Sequence, residues 1–143
     1  MKPDPKALYH PLILQHSNQP FHYEKWAEAP VILEAYNPVC GDQFKIFGQV
    51  ENGQFTDLRF HGYGCAVSKA SSSLLVSLLH GKSMAEAEAI CQHFFSVMKS
   101  GQLGDLSPEF AAFEALAAAR HFPGRESCAT LPWDSMKEYL SLP

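Results

Sequence analysis

Asn52-Gly53 sits between two strand-like runs, residues 42–50 and 54–61, and this dipeptide is the strongest short signal for a two-residue hairpin turn. With Asn52 and Gly53 as the turn, Glu51 opposes Gln54. Carried outward in unbroken register, the pairing sets Cys40 opposite Cys65. Asp42 stands two residues from Cys40 and so shares its face of the sheet. Gly62 and Gly64 are expected to end the later strand, or to bulge it, just before Cys65. Two thiols and a carboxylate then converge at the open end of one hairpin. Three such groups, plus one more, make a metal site.

Composition narrows the setting. With 143 residues, 46% of them hydrophobic and 18% charged, the chain is long and apolar enough for one domain, residues 1–143, with a real core. A net charge of -4 gives no basic footprint for nucleic acid. No apolar run approaches the roughly 20 residues of a membrane span, and Met1-Lys2-Pro3-Asp4-Pro5-Lys6 lacks the apolar stretch of a signal peptide. The expectation is a cytoplasmic protein with no nucleic-acid or membrane partner. In a reducing compartment, four cysteines point to metal binding or reactivity rather than disulfides.

The order of elements follows from periodicity and punctuation. Residues 6–16 suggest a short helix that starts near Pro11 or breaks there. Residues 17–30 read as a loop. Val31–Tyr36 is the first strand. In 42–50, Phe44, Ile46 and Val50 share one face, with Gln43, Lys45 and Gln49 on the other. In 54–61, Thr56, Leu58 and Phe60 are expected on a common face. After Cys65 the apolar period becomes helical through Ala66, Ala70, Leu74 and Leu78, and His80-Gly81 ends that helix. Ser83-Met84-Ala85-Glu86 is a capping box opening the next one. Ser107-Pro108 begins a third helix, reaching about Arg120. The last helix holds Cys128 and runs towards Leu140, with Pro132 expected to start a new turn or kink it. Strands first and helices after give an α+β fold: a three-stranded antiparallel sheet followed by a helical layer packed on one face.

Each chemistry-bearing residue also has a plainer reading. Cys65 opens a helix, where peptide dipoles and free N–H groups favour negative charge on sulfur; alone it reads equally well as a buried, inert cysteine. Asp42 alone is a surface residue at a strand start. Beside two thiolates it meets like charge, which a cation resolves. Cys91 shares a helical face with Ala87, Ile90 and Phe94 and reads as core. Composition does not assign Cys128. His61 and His121 read as surface or structural histidines, either of which can complete a site. His10, His16 and His22 show no ligand spacing.

Asn37-Pro38-Val39-Cys40-Gly41-Asp42 resembles the first signature of the iron–sulfur cluster assembly proteins of the IscU, SufU and NifU N-terminal type. Gly64-Cys65-Ala66-Val67-Ser68, with Ala70-Ser71-Ser72-Ser73, resembles the second, and Cys128-Ala129-Thr130-Leu131 the third. The long gap before Cys128, Phe122-Pro123 ahead of it and Trp133 after it resemble the SufU type. Tyr9 and His16-Ser17-Asn18-Gln19-Pro20 resemble the family's opening helix and turn. The resemblance implies one site of Cys40, Asp42, Cys65 and Cys128, holding Zn2+ in SufU-type relatives and zinc or a nascent iron–sulfur cluster in IscU-type ones. It also implies Cys128 as the mobile sulfur acceptor, with Cys40 as the other candidate. A SufS-like cysteine desulfurase and downstream iron–sulfur assembly proteins are the implied partners. The chain departs from the IscU pattern in carrying Ser127 where that type has a histidine, and in lacking a Leu-Pro-Pro-Val stretch before Cys128.

Three functions follow from such a site. The first is a zinc-bound sulfur acceptor, akin to a sulfurtransferase, that takes persulfide sulfur from the desulfurase. The second is a scaffold on which a transient [2Fe–2S] cluster is built through the same residues, with the oxygen ligand making it labile. The third is a structural zinc staple, for which an aspartate ligand is unusual.

Overall fold

The structure, a computed structural model, describes residues 10–38 and 41–142. Helix α1 (Pro11–Asn18) begins with Pro11 in the first turn, and His10 Nδ1 accepts the Leu12 N–H at 3.1 Å. The part of the predicted helix before residue 10 lies outside the described residues. Strands β1 (Val31–Asn37), β2 (Asp42–Glu51) and β3 (Gln54–Tyr63) form an antiparallel sheet in sequence order. Asn52 (φ 53°) and Gly53 (φ 74°) both take the left-handed conformation that a two-residue turn demands.

Register departs from the unbroken expectation after two pairs. Glu51 opposes Gln54 and Val50 opposes Phe55, but Gln49 opposes Asp57. Thr56 is therefore the extra residue of a bulge. It is exposed, while Phe55, Leu58 and Phe60 face the core. The expected common face of Thr56, Leu58 and Phe60 is corrected accordingly. The bulge lies beside the turn rather than at Gly62 or Gly64, and β3 ends at Tyr63, just before Gly64, in line with the strand end expected there. The ladder also stops short of Cys65, since β3 ends at Tyr63. Cys65 opens a helix instead of facing a strand partner, and Cys40 lies outside the described residues.

Helix α2 (Ala66–Leu79) runs through the middle of the molecule, burying Val67, Leu75, Val76 and Leu79. Its small residues let neighbours approach. Ser71 Oγ donates to the Ala129 carbonyl, and Ser73 Oγ receives the Phe21 N–H at 2.8 Å. Helix α3 (Met84–Ser100) carries the expected capping box, with Ser83 Oγ and the Glu86 carboxylate each bound to the other's backbone N–H at 3.1 Å. It buries Ala87, Ile90, Cys91, Phe94 and Met98. Burial pushes the Cys91 thiol up to about 12, so this cysteine packs as a hydrophobe. The predicted third helix divides into a 3-10 turn at Pro108–Phe110, helix α4 (Ala111–Ala117) and a second 3-10 turn at Ala118–His121.

Helix α5 (Arg125–Leu140) continues through Pro132, where the sequence suggested a restart or kink. Pro132 brings no N–H for the carbonyl one turn back, that of Cys128. Trp133 beside it is fully buried, stacked on Phe94 (4.4 Å, 13°) with Phe113 edge-on. Packing of that indole holds the turn together. α5 is tied to the sheet by Ser135 Oγ, which donates to the Glu34 carbonyl at 2.8 Å. Helices α2 and α5 thus cover the sheet face of Phe44, Ile46, Leu58 and Phe60. Among the described residues no helix is long and apolar enough to cross a membrane.

Candidate metal centre

Three chain segments meet at one end of the sheet. Asp42, the first residue of β2, is wholly buried. Cys65 is the N-cap of α2, and its sulfur accepts the Ser68 N–H at 3.4 Å. Cys128 lies in the first turns of α5, also wholly buried, with its sulfur 3.4 Å from the Gly124 carbonyl. One carboxylate oxygen and the two sulfurs all lie within 4.8 Å of one another. Sulfur and oxygen ligands of a tetrahedral zinc stand roughly 3.3–3.8 Å apart, so a small contraction suffices. Of the predicted four, the described structure brings together Asp42, Cys65 and Cys128. Cys40 is outside the described residues, between Asn37 and Asp42, which pair in the β1–β2 ladder.

Asp42 is held by the start of α2. Its Oδ1 accepts the Cys65 N–H and the Ser68 hydroxyl, both at 3.0 Å. Its Oδ2 is buried with no hydrogen-bond partner among the described residues. A carboxylate oxygen removed from water without a partner is costly, and a cation is the partner that resolves it. The donors themselves, one carboxylate and thiols, suit zinc better than calcium or magnesium. The residues present therefore fit a zinc ion on an observation independent of any likeness.

Gly64 is required by this packing. A Cβ there would stand 2.4 Å from Asp42 Oδ1, 2.7 Å from Ser68 Oγ and 2.8 Å from the Phe44 ring. From the sequence, Gly64 reads as a strand end or bulge and as part of a signature, with no sign of this close approach.

The contacts of three further residues are not expected from the sequence, where Ser68 stands only as part of a signature and Ser127 only as a departure from the IscU pattern. Ser68 occupies the third helical position after Cys65, where an N-cap pattern expects an interaction. Arg125 lies three residues before Cys128 and so on the same face of α5. Interaction with Cys65 first, and then with Cys128, holds the Arg125 guanidinium above its ordinary value. Ser127 accepts from Asn37 Nδ2 at 3.2 Å and donates to the Gly124 carbonyl at 3.0 Å, joining the end of β1 to the start of α5. His61 stacks on Tyr23 and His121 accepts from Arg120, and neither joins the Asp42 cluster.

Residues 8–129 match the family model described as the NifU-like N-terminal domain. The chain is 34% identical over 133 residues to the iron–sulfur cluster assembly scaffold protein IscU of Streptococcus pyogenes serotype M1, spanning 93% of this chain and 82% of the relative. It is 30% identical over 132 residues to the zinc-dependent sulfurtransferase SufU of Bacillus subtilis (strain 168), spanning 92% and 88%. A nitrogen-fixing NifU-like protein (N-terminal) from Brucella abortus shares the fold, with a TM-score of 0.78 at 20% identity over 93% of this chain and 92% of that one. The family match runs from α1 through the cysteines at 40, 65 and 128, and on that extent the chain belongs to the NifU-like N-terminal domain family.

Proposed function

We propose that this protein works in iron–sulfur cluster assembly as a zinc-bound sulfur acceptor for a cysteine desulfurase. The observation that carries the reading is Asp42: a wholly buried carboxylate, half satisfied by the α2 N-terminus, within 4.8 Å of two cysteine sulfurs. Relatives named as an assembly scaffold and as a zinc-dependent sulfurtransferase support the setting. Zinc held by Cys40, Asp42, Cys65 and Cys128 would keep the sulfurs as thiolates.

The chain's own residues then divide the work. Cys65 is committed to its helix cap by the Ser68 N–H, which leaves Cys128 and Cys40 as acceptors. The acceptor thiolate attacks the terminal sulfur of the desulfurase persulfide. A new sulfur–sulfur bond forms on the acceptor, the old one breaks, and the desulfurase cysteine departs as a thiolate. No net oxidation occurs. Arg125, which interacts with Cys65 and Cys128, would supply positive charge to a thiolate freed from zinc. Asp42 is the hardest ligand of the set and the weakest partner for zinc, so the site can open at one side.

The test is desulfurase turnover with and without the protein, with the mass of the protein recorded after one turnover. Stimulation, and the gain of a sulfur atom that is lost in Cys128→Ala or Cys40→Ala, supports the acceptor. Ser127 favours it over the scaffold, because the residue before Cys128 is engaged with Asn37 and Gly124 and offers no imidazole. An Asp42→Ala protein that accumulates a stable [2Fe–2S] cluster, without any sulfur gain in the parent, would transfer the reading to the scaffold.

A further inference from the structure

The N-terminal histidines offered no ligand spacing in the sequence, but the fold gives His22 two partners. One ring nitrogen of His22, one of His80 and a carboxylate oxygen of Asp57 lie within 4.8 Å of one another. The three come from the loop before β1, from the C-cap of α2 and from β3 beside its bulge. Cys65 and His80 cap opposite ends of α2, about 22 Å apart at 1.5 Å per residue, so this cluster is separate from the cysteine centre.

Both histidines are prepared in a way that packing alone leaves unexplained. His22 Nδ1 lies 2.9 Å from the Leu58 carbonyl. A carbonyl only accepts, so Nδ1 carries a proton, and in the neutral ring Nε2 is the nitrogen with a free lone pair. A ring nitrogen bound to a backbone carbonyl, with the other left to ligate, is the usual arrangement of a metal-binding histidine. His22 has φ 49°, and its carbonyl is pinned by the Phe60 N–H at 3.1 Å, so the loop is held there against a backbone preference. His80 Nδ1 is buried with no hydrogen-bond partner among the described residues. The His22 and His80 rings meet edge to face at 4.8 Å, with Phe21 stacked on His22.

Asp57 is shared. Arg59 donates to both its oxygens, Nε to Oδ1 at 3.3 Å and a terminal nitrogen to Oδ2 at 2.8 Å. Arg59 also meets Glu24 at 3.5 Å, so the local charge remains negative overall. Each carboxylate oxygen has two lone pairs, and Arg59 takes one on each. The α2 C-terminus adds the partial negative charge of its last carbonyls.

We infer that His22, Asp57 and His80 form a second metal site, for a divalent first-row transition ion. Two imidazoles and one carboxylate suit zinc or ferrous iron and are poor donors for magnesium or calcium. The remaining positions are open to water or an incoming ligand, since His22 is exposed.

Titration of the metal-free full chain with Co2+ tests this separately from the cysteine centre. Sulfur ligation gives a near-ultraviolet charge-transfer band, whereas histidine and carboxylate ligation gives only visible bands. The expected result is two equivalents, one with the sulfur band and one without. His80→Gln should weaken the second equivalent at least tenfold and leave the sulfur band intact, which also reports that the protein is folded. Asp57→Asn, which keeps the shape of the side chain, should do the same. Cys128→Ser should weaken only the equivalent with the sulfur band. An unchanged second equivalent in both His80→Gln and Asp57→Asn overturns the inference, as does its absence in the parent or its displacement by excess Mg2+.

Discussion

At the scale of single residues, the proposed cysteine centre would depend on side chains outside its ligand set. Ser68 provides one of the two hydrogen bonds to Asp42 Oδ1. Replacing a partner that orients a ligand typically costs 10–100-fold in metal affinity, and Ser68→Ala should fall in that range in a competition with a coloured chelator. Gly64→Ala is harsher. Its methyl group meets Asp42, Ser68 and Phe44 together below 3.0 Å, and Phe44 is in the core. Overpacking of this kind costs about 1–3 kcal/mol. A lower Tm together with lost zinc affinity is expected, whereas Gly104→Ala should be unaffected sterically, because nothing lies within 4 Å of a Cβ there, and suffer only its backbone penalty at φ 62°.

At the scale of elements, what local rules govern was legible and what tertiary packing governs was not. The Asn52-Gly53 turn, the Ser83 capping box and the Pro11 helix start each depend on residues a few positions apart, and each stands where the sequence put it. The bulge at Thr56 was invisible. It appears when Phe55, Leu58 and Phe60 must all face the core, and a strict alternation cannot bring all three there. Pro132 lies inside α5 and does not start a new helix, beside the fully buried Trp133. The centre was half legible: the sequence brought Cys65 and Asp42 together through a strand pairing, and the structure does so through a helix cap. The capping box yields its own prediction. Ser83→Ala should destabilise the protein by about 1 kcal/mol in urea unfolding, with zinc affinity unchanged. The α1–α2 contact yields a pH dependence. His16 Nδ1 lies 2.8 Å from Ser73 Oγ, and burial lowers its affinity for a proton. The folded state therefore holds His16 neutral more firmly than the unfolded chain does. Its contribution is complete above the ordinary value of about 6.5 and is lost as pH falls through the lower folded value. His61 acts in the same direction, through burial first and then Lys25 and Lys69. Tm should decline from about pH 7 to 5, and His16→Gln should flatten the decline.

At the scale of the whole molecule, the question is whether metal builds the fold or uses it. The core is already closed without it. Phe44, Phe55, Phe60, Phe94, Phe113 and Trp133 are all essentially inaccessible, joining the sheet to α2, α3, α4 and α5. The direct ties between elements, Ser135 to β1 and Ser71 to α5, are also protein to protein. Metal would add a link among β2, the start of α2 and the start of α5, beside the Asn37–Ser127 hydrogen bond that already joins the end of β1 to α5. Its stabilisation then follows from binding alone, about 2.7 kcal/mol at a free concentration a hundred times Kd. For a chain near this size, each kcal/mol moves Tm by about 2–4 °C. Chelation should thus lower Tm by roughly 5–10 °C and leave the far-ultraviolet circular dichroism at 25 °C unchanged. Collapse of that signal on chelation would mean that the metal is a structural staple. A folded metal-free protein instead has thiols that can leave the metal without loss of the fold, as a sulfur acceptor requires.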